Sequence, residues 1–252
     1  MMNSTALSRC ACLIAMSGVL VSLALFACAG DALAQAAGTV THLSGTLSVA
    51  RPDGQRLLAV NSAVQEGDVL TTERETYARL KFSDGSEIVL RPSSQVQVAR
   101  YQFDANQPQS DNMLFSMLRG GMRAVTGLIG RRNRDRVGVT TPTATVGIRG
   151  THFGLLFCQG GSCAGIADAG GRPLENGLYI DIANGSINVS NSAGSTVINA
   201  GQFGFVANQT TLPRVVAPEA GLRVTMPGAI STSVASRGVG IGVNRDDSCV
   251  MQ

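Results

Sequence analysis

Alternation of apolar and polar residues is the clearest pattern in this chain, and it predicts β-strands. In residues 78–90, Leu80 and Phe82 alternate with charged neighbours, Asp84-Gly85 follows, and the apolar pattern resumes at Ile88. An Asp-Gly pair readily adopts the positive backbone angles of a tight hairpin turn. We therefore predict a β-hairpin in this segment.

Two further segments, residues 45–58 and 185–198, show the same strand-turn-strand pattern at a constant offset of 140 residues. Such self-similarity indicates that one structural unit is used twice. Two copies are too few to demonstrate a regular solenoid, which normally needs about three stacked repeats. The matched positions are Gly45 and Gly185, Val49 and Val189, and Gly54 and Gly194.

Two other segments are read less directly from their patterns. Residues 113–126 fit either a short helix that ends at Gly120-Gly121 or a hairpin that turns there, and we expect the hairpin because the neighbouring elements are hairpins. Residues 137–157 are rich in β-branched and aromatic residues and are interrupted by Pro142 and several glycines. This composition predicts a pair of bent strands.

Together these patterns predict an all-β fold, either a hairpin-rich roll or sandwich of short strands or a β-solenoid-like arrangement. One domain over residues 35–212 accommodates them, because all-β domains of about 200 residues are common. From Pro213 onward the chain holds three prolines and then a stretch rich in serine and glycine with few large apolar residues. We expect residues 213–252 to form a loosely ordered C-terminal tail.

The first 34 residues have the pattern of a signal peptide. Arg9 is the only charge before the mostly apolar residues 11–29, and Ala32-Leu33-Ala34 fits a small-x-small cleavage site. We expect an N-terminal signal helix, cleavage before Gln35, and a periplasmic or secreted protein. The alternatives are an uncleaved membrane anchor and lipid attachment at Cys28. With a cleaved signal peptide, we expect contact with a membrane only through that transient segment.

Cleavage would leave three cysteines in an oxidising compartment, where disulfides persist. Cys158 and Cys163 flank Gln159-Gly160-Gly161-Ser162, a flexible turn that brings two strand ends within bridging distance. We expect a local disulfide. The alternatives are a redox pair, whose motif has two intervening residues, and a metal clip, for which further ligands are lacking nearby. Cys249 is then either free or part of an intermolecular disulfide.

Composition excludes several classes of function. With 44% hydrophobic and 15% charged residues the chain is globular, and a net charge of +3 does not suit a nucleic-acid-binding protein. His42 and His152 are the only histidines, too few for a multi-histidine metal centre. No nucleophile elbow, P-loop, dinucleotide fingerprint or zinc-protease helix is present. We expect a non-enzymatic protein with no catalytic residues, no metal and no cofactor, although carboxylates distant in sequence can meet in a fold.

Positive charge is concentrated in residues 119–136, which hold six arginines and a single acid, Asp135. Basic clusters attract polyanions, and for an exported protein these are acidic glycans, lipid headgroups or acidic proteins instead of DNA. The alternative is a solvated loop whose arginines keep it soluble. The candidate binding residues in this segment are Arg131, Arg132, Arg134 and Arg136.

Three motifs together resemble the FecR domain. They are Ser83-Asp84-Gly85-Ser86, residues 118–123 (Leu-Arg-Gly-Gly-Met-Arg) and residues 141–153, which run from Thr-Pro to Arg-Gly-Thr-His-Phe. The resemblance extends over about residues 38–207. It implies an extracytoplasmic domain of short β-strands, which in the best-known members receives a signal from an outer-membrane iron-siderophore receptor and controls a cytoplasmic sigma factor. Those members also have a cytoplasmic segment and a membrane span, and finding neither here, we expect only the exported sensing or binding module.

Within the third motif, Arg149-Gly150-Thr151 is the most distinctive tripeptide. The glycine permits a sharp backbone path, and the arginine offers a planar pair of donors to a carboxylate, phosphate or carbonyl. Arg149 and Thr151 are therefore further candidate binding residues. Alternatively, the arginine braces backbone carbonyls inside the fold. His152, with no serine or aspartate motif beside it, is expected to be a packed or surface residue.

The sequence thus predicts an exported, non-enzymatic FecR-like module of the cell envelope with an accessory role in signalling. Its expected partner is an envelope protein or an acidic glycan, and no nucleic acid. The alternative function is a structural or adhesive envelope protein that self-associates through exposed sheet edges.

Overall fold

The structure is a computed structural model that describes residues 36–228 and residue 230. β-strands are the main regular structure of these residues, which confirms the predicted all-β class. The expected signal peptide, Cys28, Cys249 and residues 231–252 lie outside the described residues. The strands are β1 (Ala36–Leu43), β2 (Leu47–Arg51), β3 (Gly54–Leu58), β4 (Ala63–Gln65), β5 (Val69–Thr72), β6 (Ala78–Phe82), β7 (Glu87–Leu90), β8 (Gln95–Gln102), β9 (Asn112–Val125), β10 (Val137–Thr140), β11 (Thr145–Ile148), β12 (His152–Cys158), β13 (Gly177–Asn184), β14 (Ser186–Asn191), β15 (Gly194–Asn199), β16 (Phe203–Val206) and β17 (Arg214–Val216).

Helical structure within the described residues is limited to short pieces. An α-helix, α1, spans Leu128–Arg132, 3-10 turns occur at Pro108–Ser110, Arg134–Arg136 and Pro218–Ala220, and Gly228 and Ile230 also have helical backbone. None of these helices has the length and apolar character needed to cross a membrane.

Strand β9 connects two arms of one continuous sheet. Its residues 112–119 pair with β8 and, in part, with β10, whereas residues 120–125 pair with β7 and β12. The first arm has the order β4-β1-β6-β7-β9-β12-β13-β16-β17, and the second arm has the order β3-β2-β5-β8-β9-β10-β11-β14-β15. Neighbouring strands are antiparallel except β9 and β10, which are parallel.

The hydrophobic core lies between the two arms. Phe82 of the first arm lies 5.3 Å, between ring centroids, from Phe115 in the part of β9 that belongs to the second arm, and the two rings meet edge to face. Tyr101 on β8 contacts Phe82 at the same centroid distance. Buried side chains of both arms form one continuous cluster. The arrangement is therefore the sandwich form of the predicted fold.

The three predicted hairpins are confirmed as β6–β7, β2–β3 and β14–β15. The two repeats even share their register: Leu47 faces Leu58 in the first copy, and Ile187 faces Ile198 in the second. In both copies the first strand is the buried one, and the second strand lies at an edge of the second arm. The shared period-two pattern therefore does correspond to a shared structural unit.

The hairpin expected in residues 113–126 is wrong, because this segment is the single 14-residue strand β9. Gly120 has a φ of +78°, and a Cβ placed on it would lie 2.5 Å from Cα of Ser94. The glycine therefore lets the strand pass tightly from one arm to the other without reversing. Residues 137–157 likewise form three strands, β10 to β12, instead of two, with turns at Pro142 and Gly150.

After β17 the chain crosses the outer face of the first arm. We call residues 221–230, apart from residue 229, the strap. Apolar residues of the strap pack on an apolar patch of the arm, away from the main core. The side chains in this second cluster include Val89, Leu156, Tyr179 and Phe205 from the arm and Leu222, Val224, Met226 and Ile230 from the strap.

Candidate functional site

Four of the six arginines predicted as a basic cluster lie close together on α1 and the 3-10 turn that follows it. Arg131 and Arg132 form the last turn of α1, and Arg134 and Arg136 belong to the 3-10 turn. All four are exposed, and none forms an ion pair with another described residue. We call these four residues the arginine cluster.

The hairpin turn of β6 and β7 holds the start of α1 in place. The backbone N–H of Leu128 donates to the carbonyl of Asp84 (2.9 Å), and that of Ile129 donates to the Asp84 carboxylate (3.3 Å). The hydroxyl of Ser86 accepts a hydrogen bond from the N–H of Gly127 (2.8 Å). Ile129 is fully buried in the core. These contacts satisfy backbone donors that a helix start leaves unpaired.

Asp84 is itself buried and held from several sides. Ser86 donates from its N–H (3.0 Å) and its hydroxyl (2.7 Å), and the hydroxyl of Tyr101 lies 3.3 Å from Asp84 Oδ1. Burial raises the pKa of Tyr101 to about 12, so its hydroxyl stays protonated at neutral pH. The Ser-Asp-Gly-Ser motif therefore makes the hairpin turn and also anchors the helix that carries Arg131 and Arg132.

The loop between β8 and β9 supports the cluster from the other side. Arg132 donates to the carbonyl of Ala105 (3.3 Å), and the amide of Asn133 donates to the carbonyl of Pro108. Exposed guanidinium groups on such a supported turn can pair with carboxylate, sulfate or phosphate groups, because the planar fork matches two acceptor oxygens at once.

Arg149 and Thr151, the second predicted pair, differ in their surroundings. Arg149 is exposed on a turn, where Gly150 has a φ of +68°. A Cβ placed on Gly150 would lie 3.6 Å from the carbonyl oxygen of Gly130 in α1, so this turn lies beside the helix of the arginine cluster. Thr151 is buried, and its N–H donates to Thr126 Oγ1 at 2.9 Å.

The other two arginines of the predicted segment lie elsewhere. Arg119 is exposed on β9, and Arg123 is half-buried on the outer face of the first arm. Arg123 Nε donates to His152 Nε2 at 2.7 Å. Burial and the neighbouring Arg123 charge lower the pKa of His152 to about 4, so the imidazole is a neutral acceptor. His152 is thus a packed residue, as expected.

The predicted disulfide between Cys158 and Cys163 is present, with an S–S distance of 2.06 Å and a Cα–Cα distance of 5.4 Å. It closes the loop that follows β12. In the described part of the chain, no three histidine, cysteine or acidic residues lie together in an arrangement that could hold a metal ion.

Solved structures provide one comparison. Two crystal structures, at 1.65 and 2.50 Å resolution, of a protein from Parabacteroides distasonis ATCC 8503 described as a "putative anti-sigma factor" are similar to this chain. Both have a TM-score of 0.44, with 14% and 15% sequence identity. The chain spans 60% of the length of those structures, and the match covers 60% of its own length.

Families and curated proteins provide two more comparisons. No curated protein matches the chain. Residues 68–164 match the family model described as "FecR protein". That range contains the Ser-Asp-Gly-Ser turn, the arginine cluster, Arg149 and the disulfide. FecR proteins are regulatory, so the match associates this part of the chain with signalling. The comparison therefore identifies residues 68–164 as similar to the FecR family.

Proposed function

We propose that this protein is an exported, non-enzymatic binding or sensing module that engages an acidic envelope protein or an acidic glycan through the arginine cluster. One observation carries the proposal. Four arginines are exposed on a short helix and the turn that follows it, and none has an ion-pair partner among the described residues. The FecR match supports an accessory role in signalling.

Two features support this proposal over a solvated loop with no partner. A loop that only confers solubility needs no fixed shape, yet α1 is held by Asp84, by Ser86 and by the buried Ile129. Arg149, on the adjacent turn, adds a fifth exposed guanidinium near the same end of the fold. Export is supported by the Cys158–Cys163 disulfide, since such bonds persist in oxidising compartments.

Site-specific photo-crosslinking in cells tests the proposal. A photoreactive residue replaces Asp135, which is exposed within the cluster, and a control protein carries it at Gln55 on β3. We expect an adduct with an acidic protein or glycan from position 135 only. Changing the four arginines to serine should remove that adduct. An adduct that persists without the arginines would contradict the proposal.

Self-association is the second candidate function, and the edge strand β3 favours it. Leu57 on β3 is 74% exposed, and among the described strands β3 pairs only with β2. In the equivalent hairpin β14–β15, residues 208–213 lie beside the strands and cover part of the edge. Asn191 donates to the carbonyl of Thr211 (2.7 Å), and Thr196 donates to the carbonyl of Pro213. The first copy therefore offers a more open edge for strand pairing than the second.

The same crosslinking experiment separates the two candidate functions. Self-association through β3 predicts an adduct between two copies of the chain from Gln55, which replacement of Leu57 by lysine should abolish. Val197, 50% exposed at the equivalent position on β15, provides the control substitution. A monomeric protein without adducts from Gln55 would contradict this second candidate.

A further inference from the structure

A row of paired residues crosses the outer face of the first arm from one strand to the next. It starts at β6, passes through β7, β9, β12 and β13, and ends at β16. The strap runs along this row, across the strands. The residues of the row are, in order, Arg79, Val89, Arg123, Gly154, Asp181 and Phe203.

Two charged side chains of the row bind the main chain of a single strap residue, Val224. The N–H of Val224 donates to Asp181 Oδ2 (3.1 Å), and Arg123 Nη1 donates to the carbonyl of Val224 (2.8 Å). Gly154 lies between these two residues in the row. A Cβ placed on Gly154 would lie 2.5 Å from Cβ of Val224, so the glycine provides the space for the valine side chain.

The rest of the strap shows the conformation and chemistry that the row accepts. Leu222, Val224 and Met226 are buried, whereas the intervening Arg223 and Thr225 are exposed, which is the alternation of an extended chain. Further along, Arg79 donates to the carbonyl of Ile230 (3.2 Å). The strap nevertheless forms no strand with the arm and is fastened from the side by these side chains.

Charged side chains, and not only apolar packing, hold the strap. Asp181 is only 5% exposed, and burial raises the pKa of its carboxyl group. Buried charges cost free energy unless they are hydrogen-bonded, and here Asp181 and Arg123 are hydrogen-bonded to the backbone of Val224. Because Asp181 and Arg123 bind a backbone N–H and C=O, they would also bind any other extended segment whose central side chain fits above Gly154.

We propose that this row is a peptide-binding site for an extended segment of a partner protein with apolar residues at alternate positions, and that the strap is the internal occupant which that segment displaces. Displacement would uncover Val89, Leu156, Tyr179 and Phe205, so the replacement must itself be apolar. The site does not involve the arginine cluster, and its test is independent of the function proposed above.

Binding of a strap peptide to the full-length protein tests the proposal. The probe is a fluorescently labelled peptide with the sequence of residues 219–230. In the wild-type chain the tethered strap competes at a high effective concentration, so binding of the free peptide should be weak. The variant Val224→Asp places a charge above Gly154 and should release the tethered strap. We expect this variant to bind the peptide at least about tenfold more tightly than the wild-type protein.

Matched controls make the result specific. A peptide with the same Val224→Asp change should not bind, and adding Gly154→Val to the protein variant should abolish binding by filling the space for the valine. Near-UV circular dichroism verifies that the variants fold. If Val224→Asp does not fold, Val224→Ala replaces it, because the smaller side chain only weakens the packing of the strap above Gly154. This variant should raise the affinity for the peptide about threefold.

Three outcomes would overturn the proposal. The first is a folded variant that fails to bind the peptide. The second is equal binding to the wild-type protein and the variants, because the peptide would then bind elsewhere. The third is a wild-type dimer that the Val224→Asp change dissociates, because the row would then take the strap of a second copy and not a partner's segment.

Discussion

At the scale of single residues, a few buried polar groups join distant parts of the chain. Asp84 connects the β6–β7 turn to α1, which begins 44 residues later, and Asp181 and Arg123 hold Val224 on the outer face. In each case a side chain satisfies a backbone group that would otherwise be buried without a partner.

His152 provides a prediction at this scale. Its folded-state pKa of about 4 is below the ordinary value of 6.5, so the unfolded chain takes up a proton before the folded protein does. The unfolding free energy should therefore fall as the pH drops from about 6.5 to 4, by roughly 1–2 kcal/mol after allowance for partial exposure.

Urea denaturation across this pH range checks the prediction against the variant His152→Gln, which keeps an acceptor for Arg123 but does not titrate. The wild-type protein should lose more stability than the variant on acidification. Asp181 is common to both proteins, so its contribution cancels in the comparison. Parallel pH profiles for the two proteins would refute the assigned role of His152.

These residue contacts could be predicted only in part. The Asp84-Gly85 turn follows from local sequence because its conformation depends on adjacent residues. The bond from Asp84 to Ile129 depends on how β9 crosses the fold, which no local pattern encodes. The sequence likewise shows the basic segment, but only the fold separates Arg119 and Arg123 from the arginine cluster.

At the scale of elements, alternation identifies the strands well and their connections less well. The β2–β3 and β14–β15 hairpins were predictable because each has a turn glycine between two alternating runs. The single strand β9 was not predictable, because a glycine pair inside an apolar run fits a hairpin turn, a helix end or a strand that passes between two arms equally well. The close approach of Ser94 to Gly120 decides in favour of the crossing.

Replacement of Gly120 by alanine tests this crossing. An added methyl group would meet Cα of Ser94 and would also be held at a positive φ, so we expect destabilisation of about 3 kcal/mol. Gly160 has a φ of +58° with open space around it, so Gly160→Ala measures the backbone term alone, about 1 kcal/mol. Equal effects in chemical denaturation would show that Ser94 does not constrain the strand.

At the scale of the whole molecule, the two arms enclose one core, and the fold presents two surfaces of different chemistry. The arginine cluster offers positive charge on a fixed helix end, and the outer face of the first arm holds an extended apolar segment. The all-β class was predictable because alternation recurs along residues 36–216. The row of residues that holds the strap was not predictable, because its six residues come from six strands and become neighbours only through the register of the sheet.

The most direct measurement is the affinity of the purified protein for a heparin oligosaccharide and for an acidic peptide at low and high salt. It compares the wild-type chain with the variant in which Arg131, Arg132, Arg134 and Arg136 are serine. A control variant replaces the same number of exposed arginines elsewhere and therefore has the same net charge. The arginines replaced in the control are Arg56, Arg74, Arg100 and Arg119.

We predict salt-sensitive binding of at least one probe by the wild-type and control proteins, and affinity at least about tenfold weaker for the cluster variant at low salt. Equal loss in the cluster and control variants would show that only net charge matters. Unchanged affinity in the cluster variant would show that an acidic partner does not bind at this site.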